Sequence, residues 1–439
     1  MHDFRRIADR IADEITAGRL KPGQRLPPQR VFARRRGIAG STAGRVYAEL
    51  VRRGLVVGEV GRGTFVRAAP AGTARALVEA ATEAPVNLEL NYPCVPGQSA
   101  LLAPALAPLR RPDVLTEALR PAAATGTPAA RRAVAGLLSA PGQVPAPDRI
   151  VFAGNARQAV AATLASLVRP GGRVGVEALT YPVVKEIAAR LGITLVPLAT
   201  DEEGPRPEAV TAAHRTAPLA ALYLQPTLHN PTSVTTSPER RRLLARTVLD
   251  LDIPVVEDRI WSFLTDDEPF AVLAPGLTHV VDGLSKRVAP GLTVGFVVVP
   301  EGRLDAVAAA VRSGGWSAQS FALEAAVRWI EDGTVARLVA AKRADAELRQ
   351  RIAGEELRGF AVRSDPRACY AWWELPAPWR ADTFTAAAAA HGIAVTPGPA
   401  FAVAPHHTPD AVRLGLASAP EPDLRRALRT LAGVVRGSA

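Results

Sequence analysis

Cysteine is almost missing from this 439-residue chain: Cys94 and Cys369 are its only two, and neither sits in a metal-ligand spacing. That argues against a disulfide-stapled secreted domain and against a zinc module, and it fits a reducing interior. No stretch approaches the ~20 uninterrupted apolar residues of a membrane span. The opening Met1-His2-Asp3-Phe4-Arg5-Arg6 lacks the basic-then-apolar plan of a secretory signal, so a cytoplasmic location is expected. No Gly-x-Gly-x-x-Gly follows a strand-like run, which argues against a dinucleotide-dependent oxidoreductase. Lysine is scarce as well: Lys21, Lys185, Lys286 and Lys342 are the only four among 53 basic side chains.

The rest of the composition is that of a globular protein. Hydrophobic residues make up 48% and charged residues 22%, enough for a sizeable core, and the length suits two domains. Charge is unevenly placed. Residues 1–67 hold 15 Arg and Lys against 6 Asp and Glu, a net +9, so the remaining 372 residues carry only +2 of the chain's +11. A small basic segment on a nearly neutral body points to a polyanion partner for that segment alone.

Phe4, Ile7, Ala8, Ile11 and Ile15 recur at helical spacing over residues 4–18. Pro27-Pro28 opens a second helix to about Arg36. A third runs from near Ala39 to Gly54, with Val46, Leu50 and Val51 inward. Leu55–Val60 and Thr64–Arg67 flank the Gly61-Arg62-Gly63 turn as a hairpin. This order predicts a winged helix-turn-helix over residues 1–67. Residues 68–85, rich in Ala, Pro and Glu, read as a linker. Over residues 86–439 short apolar runs alternate with helical stretches such as Pro238–Leu249. The runs are Ile150–Phe152, Arg173–Val176, Thr194–Pro197, Leu219–Leu224, Pro254–Glu257, His279–Asp282 and Val294–Val299. The alternation predicts an α/β fold with a mostly parallel sheet. After about Gly302 helices dominate, and Phe360–Arg363 with Tyr370–Leu375 suggest a smaller C-terminal α+β lobe.

Arg19–Val66 resembles the DNA-binding domain of the GntR family, through Pro22-Gly23, Leu26-Pro27, Arg30, Tyr47, Leu50, Gly54-Leu55 and Gly61-Arg62-Gly63-Thr64. The third helix would present Ser41, Thr42 and Arg45 at its N-terminal end, where a recognition helix meets base edges. By resemblance Arg30 also reaches DNA, and Gly61 and Arg62 form the wing tip. Gly40 and Gly44 stand where many relatives carry arginine, so base preference does not carry over.

The larger part resembles the fold-type I, pyridoxal 5'-phosphate (PLP)-dependent aminotransferases. With the first domain, the chain resembles the MocR subfamily of GntR regulators. The motif GLSKRVAPGLTVGF places Ser285-Lys286 at the end of a strand-like run. The resemblance makes Lys286 the lysine that forms a Schiff base with PLP. Asp258, in VVEDRIW, resembles the carboxylate that bonds the pyridine nitrogen, and Asn230, in QPTLHNPT, the amide that bonds the ring oxygen. Tyr181 matches a ring-stacking residue. Gly154-Asn155-Ala156-Arg157 opens a helix after a strand, where amides favour phosphate. Arg413, in AVRLGL, matches the arginine that clamps an amino acid's carboxylate.

Departures accompany these matches. Thr293 stands where relatives place a phosphate-binding arginine, Gly283 replaces a hydroxyl residue, and Trp261 replaces a tyrosine. Trp261, Thr293 and Ser285 remain counted with the cofactor contacts, but efficient transamination is not expected. Three functions stay open: a PLP-dependent regulator sensing an amine, an amino acid or PLP itself; a working aminotransferase with a fused DNA-binding domain; and a regulator whose large domain has lost PLP. The resemblance also implies a homodimer, with each winged helix packed on its partner's large domain, and double-stranded operator DNA as the macromolecular ligand.

Overall fold

The computed structural model describes residues 4–16, 19–21, 23–53, 55–59, 63–67, 84–139, 144–292, 294–404 and 410–437. Three helices, Phe4–Thr16, Gln29–Arg36 and Gly40–Arg52, precede an antiparallel pair, Val56–Glu59 with Gly63–Val66. Their shared core is Ile7, Ile11, Phe32, Val46, Tyr47 and Leu50, the residues that helical spacing brings to one side. Gly37 ends the second helix in the left-handed region at φ 61°, and its amide closes on the carbonyls of Ala33 and Arg34. The Tyr47 hydroxyl donates to the Pro27 carbonyl at 2.5 Å, pinning the start of the second helix to the third. Val51, expected inward, is 47% exposed. It follows Leu50 by about 100° around the helix, and the core side there is already filled by Val46 and Leu50.

The large domain is built on a seven-stranded sheet. Its spatial order is Ile150–Ala153, Gly295–Val298, Thr278–Gly283, Val255–Asp258, Ala221–Leu224, Arg173–Glu177 and Thr194–Leu198. All neighbours are parallel except Gly295–Val298, which runs antiparallel to both of its own. The central strands are buried along their whole length, as continuous apolar runs covered on both faces must be. The Ala156–Leu167 helix packs on one face, with Ala159, Ala162 and Leu164 against Val174, Val256 and Val281. The other face carries two separate cores. One lies under the Pro128–Leu137 and Ser320–Glu331 helices, the other under Pro238–Asp250.

A 23-residue helix, Thr334–Glu356, leads from the sheet to the smaller lobe. There Ala361–Arg363, Tyr370–Glu374, Ala411–Gly415 and Thr396–Pro397 form an antiparallel sheet under the Glu421–Arg436 helix. Val86–Asn87 joins this lobe by pairing with Ile393–Ala394. The winged helix touches the small lobe of the same chain: the Arg380 guanidinium lies 5.1 Å from the Phe65 ring centroid. Among the described residues no helix is long and apolar enough to cross a membrane.

Candidate functional site

Arg30, Ser41 and Arg45 are exposed and Thr42 is half-buried on the second and third helices. Ala39 caps the third helix with extended backbone and no side-chain hydrogen bond. Its first amides therefore face outward unclaimed by a capping side chain, a disposition that suits a phosphate oxygen. The Arg45 guanidinium rests 5.1 Å from the Phe4 ring centroid, which steadies it without hiding it. Gly61 and Arg62, the expected wing tip, lie outside the described residues.

In the large domain Asn155, Ala156, Arg157, Tyr181, Asn230, Asp258, Trp261, Ser285, Lys286 and Arg413 all line one cavity of about 210 Å³. Thr293 lies outside the described residues. Three strand ends and one helix start deliver these side chains. Asp258 closes the central strand Val255–Asp258, and Lys286 sits in the Leu284–Arg287 helical turn directly after Thr278–Gly283. Asn155 caps the Ala156–Leu167 helix, its Oδ1 accepting from the Gln158 amide at 2.9 Å. That side chain is therefore occupied in holding the helix start.

Lys286 Nζ donates to the Asn91 carbonyl at 2.8 Å and lies 3.7 Å from the Tyr92 ring centroid and 5.3 Å from that of Trp261. Asp258 accepts from the Tyr223 hydroxyl at 2.6 Å, from Gln225 Nε2 at 3.1 Å and from the Ile260 amide at 3.0 Å. Burial nevertheless pushes its carboxyl up to about 6, against the pull of those donors. Arg157 Nε donates to the Tyr181 hydroxyl at 2.9 Å. Arg413 is 7% exposed, donates to the Glu89 carbonyl and to Thr396 Oγ1, and is brought down to about 10 by burial.

Residues 117–431 match the aminotransferase class I and II family, and residues 4–66 match the gntR family of bacterial regulatory proteins. The chain belongs to the aminotransferase class I and II family. With a gntR-type winged helix ahead of that domain, it has the MocR architecture. The HTH-type transcriptional regulator YdeF of Bacillus subtilis (strain 168) is 27% identical over 415 residues, spanning 94% of this chain and 90% of YdeF. YdcR, an HTH-type transcriptional regulator of Escherichia coli (strain K12), is 24% identical over 437 residues, with 91% and 92% covered. Among solved structures, an archaeal alanine:glyoxylate aminotransferase superposes with a TM-score of 0.74 at 19% identity, over 81% of this chain and 91% of that one. LysN, the alpha-aminoadipate aminotransferase of Thermus thermophilus, gives 0.74 at 21% identity, over 84% and 95%. These two likenesses establish the fold.

The residues of this MocR-type chain fit the PLP that such folds typically bind. Asn230 Oδ1 and Arg413 Nε are buried without a hydrogen-bond partner among the described residues, so each awaits a ligand atom. A Cβ on Gly295 would stand 2.2 Å from the Asn155 carbonyl carbon, so only glycine lets this strand approach the helix start so closely. Gly283, where relatives carry a hydroxyl residue, is less constrained, needing a shift of only a few tenths of an ångström. A Cβ there would meet the Val294 carbonyl oxygen at 3.0 Å and Ala156 Cβ at 3.4 Å. Arg287, the residue after the lysine, is turned away from this cavity and pairs with buried Asp282.

Three lining residues, Gln225, Asn91 and Tyr92, and the buried Tyr223 behind Asp258 carry no motif of their own in the sequence. Tyr223 and Gln225 hold Asp258, and Asn91 and Tyr92 hold the lysine amine. Tyr223 had a usable signal: it is one of only five tyrosines, in a buried run ahead of the Asn230 motif. Asn91 and Tyr92 had none, since they lie nearly 200 residues from Lys286 and meet it only through the packing of the small lobe.

Proposed function

We propose that this MocR-type protein is a DNA-binding transcription regulator whose aminotransferase-like domain holds PLP at Lys286 and senses an amine or amino acid. The observation that carries the reading is the convergence of Lys286, Asp258, Asn230 and Arg413 on one cavity, in a chain that also carries a winged helix. When bound, the cofactor would supply an electron sink and a carbon that captures an incoming amine covalently. This chain's residues then have separable tasks. Asp258, largely ionised at neutral pH, holds a proton at the ring nitrogen, and Tyr223 and Gln225 keep it aimed. Asn230 meets the ring oxygen. The Ala156 and Arg157 helix start, with the Arg157 guanidinium, takes the phosphate in place of the arginine that Thr293 replaces. Arg413 takes an effector's carboxylate.

The protein acts in the cytoplasm as a homodimer that sets two winged helices on one double-stranded operator. An effector regulates it only by binding two arrangements of the dimer with different affinity. The test is a spectrum of the purified protein followed by borohydride reduction. A visible cofactor band that Lys286→Ala abolishes, with the reduced adduct recovered on Lys286, supports the reading. Recovery on Lys185 or Lys342, or no band with added PLP, overturns it. Steady transfer of an amino group to a 2-oxoacid would instead make the chain an aminotransferase with a fused DNA-binding domain.

A further inference from the structure

The outward face of the Gly40–Arg52 helix is half bare. Residues four apart on a helix lie one above the other, and the column Gly40, Gly44 and Ala48 carries nothing larger than a methyl group. A Cβ at Gly40 would meet no atom within 4 Å, so that end of the column is open. The neighbouring column presents Ser41 and Arg45, both exposed. By itself the helix therefore offers polar groups to a groove from one column and none from the other.

Gln29 stands over the empty column. It is the first residue of the Gln29–Arg36 helix, it is exposed, and its side-chain oxygen lies 3.6 Å from the place a Gly44 Cβ would take. The start of its helix is braced against the Gly40–Arg52 helix. The Tyr47 hydroxyl donates to the Pro27 carbonyl at 2.5 Å, and the Phe32 and Tyr47 rings meet edge to face with centroids 5.3 Å apart. Gln29 thus rides on a fixed element, as a group that reads a groove must. Among the described residues its amide has no hydrogen-bond partner, so its donor and its acceptor are both left for a ligand. In the major groove adenine presents the matching pair, an N6 donor beside the N7 acceptor, whereas guanine presents two acceptors.

We infer that Gln29 is a base-reading residue of this winged helix and selects an adenine through the gap that Gly44 leaves. Ser41 and Arg45 meet the DNA from one column of the third helix, and Gln29 meets it from the second helix over the other column. The inference rests on the proposed binding of operator DNA and adds to it a specificity contact from outside the third helix.

The test is selection from a randomised duplex pool by the full-length protein, followed by anisotropy titrations on the selected duplex and its single-base-pair variants. The wild type should enrich a motif with a fixed A·T pair, preferred over G·C by about five-fold or more. Gln29→Ala should bring that preference below about two-fold while the other fixed positions persist. Gln29→Glu should move the preference at the same position to cytosine, whose N4 donor suits a carboxylate. Gly44→Leu should reproduce the loss seen in Gln29→Ala, because the leucine branch takes the amide's place. Leucine also favours a helix over glycine, so this variant keeps its fold. An unchanged motif in Gln29→Ala, an equal loss at every position, or a Gly44→Leu protein that keeps the A·T preference overturns the inference. A wild type that enriches no sequence overturns the operator-binding function along with it, an outcome distinct from an enriched motif that is indifferent to Gln29.

Discussion

Lys342 offers the sharpest quantitative test of the interior. It is one of four lysines, is fully buried, and spends its ammonium on two backbone carbonyls in the turn that carries Lys286. Burial brings its pKa down from 10.5 to about 8, a difference worth about 3 kcal/mol. The sign follows from proton counts. Between pH 8 and 10.5 the unfolded chain holds this proton and the folded chain has released it, so stability rises with pH across that window. Below it the folded state carries the whole cost of a buried charge. Replacing Lys342 with methionine removes that cost and also removes two charge-assisted hydrogen bonds, each worth roughly 1.5–3 kcal/mol. Near neutral pH the two effects largely cancel, so the diagnostic is the slope. Urea unfolding followed by tryptophan fluorescence should show the wild type gaining about 2 kcal/mol on Lys342→Met between pH 7.5 and 9.5. Parallel stability curves would refute the claim that this amine is charged and buried at neutral pH.

Glu177 should behave in the opposite sense. Burial raises its carboxyl from 4.5 to about 7, so its contribution is full below pH 4.5 and is lost as pH rises through 7. Glu177→Gln should therefore match the wild type near pH 4.5 and exceed it by on the order of 3 kcal/mol at pH 8, read from urea midpoints. Gly295→Ala should cost more than about 3 kcal/mol or abolish soluble expression, because its new methyl meets backbone rather than a movable side chain. Arg157→Ala should weaken PLP about ten-fold in an absorbance titration. Arg287→Ala should act first on stability, by roughly 3–5 kcal/mol, because it leaves Asp282 buried and unpaired. DNA binding should fall steeply with salt, and Arg45→Ala should lower discrimination between operator and random DNA by about 1–3 kcal/mol. Equal losses on both DNAs would make Arg45 a phosphate contact.

The seven large-sheet strands were legible almost to the residue, the inner ones because strands buried on both faces must be short unbroken apolar runs, and the half-exposed edge strand Thr194–Leu198 because it carries the same β-type residues. Ile150–Phe152 became Ile150–Ala153, and His279–Asp282 became Thr278–Gly283. Leu219–Leu224 begins two residues ahead of the strand: Leu219 continues the apolar run before the ladder, and Ala220 reaches it only through its amide, which donates to the Arg173 carbonyl at 2.8 Å. Two-residue pairings such as Val86–Asn87 with Ile393–Ala394 left no periodicity to see. At the site, residues next to a motif were legible and their distant partners were not. Lys342 shows the limit plainly. As a lysine within a helical stretch it resembles any solvated lysine, and only the packing of the Thr334–Glu356 helix against the lysine turn reveals that it is interior.

The glycine pair at the base of the lysine segment has one more consequence. Gly283 and Gly295 face each other in register on neighbouring antiparallel strands, and the Leu284 amide closes on the Val294 carbonyl at 2.9 Å. The chain thus leaves the sheet and re-enters it at one point, carrying Lys286 on a closed cassette. Sheet register is settled outside that cassette. Exchanging residues 284–294 for the matching stretch of another family member would keep the strand register, provided Leu284, Val288 and Val294 keep filling the core and Arg287 keeps its pairing with Asp282. Even doubling the segment's length adds only about 0.6 kcal/mol of closure entropy. The segment that carries Lys286 is in that sense hung from two glycines, and a chimaera built at 283 and 295 would transplant it whole.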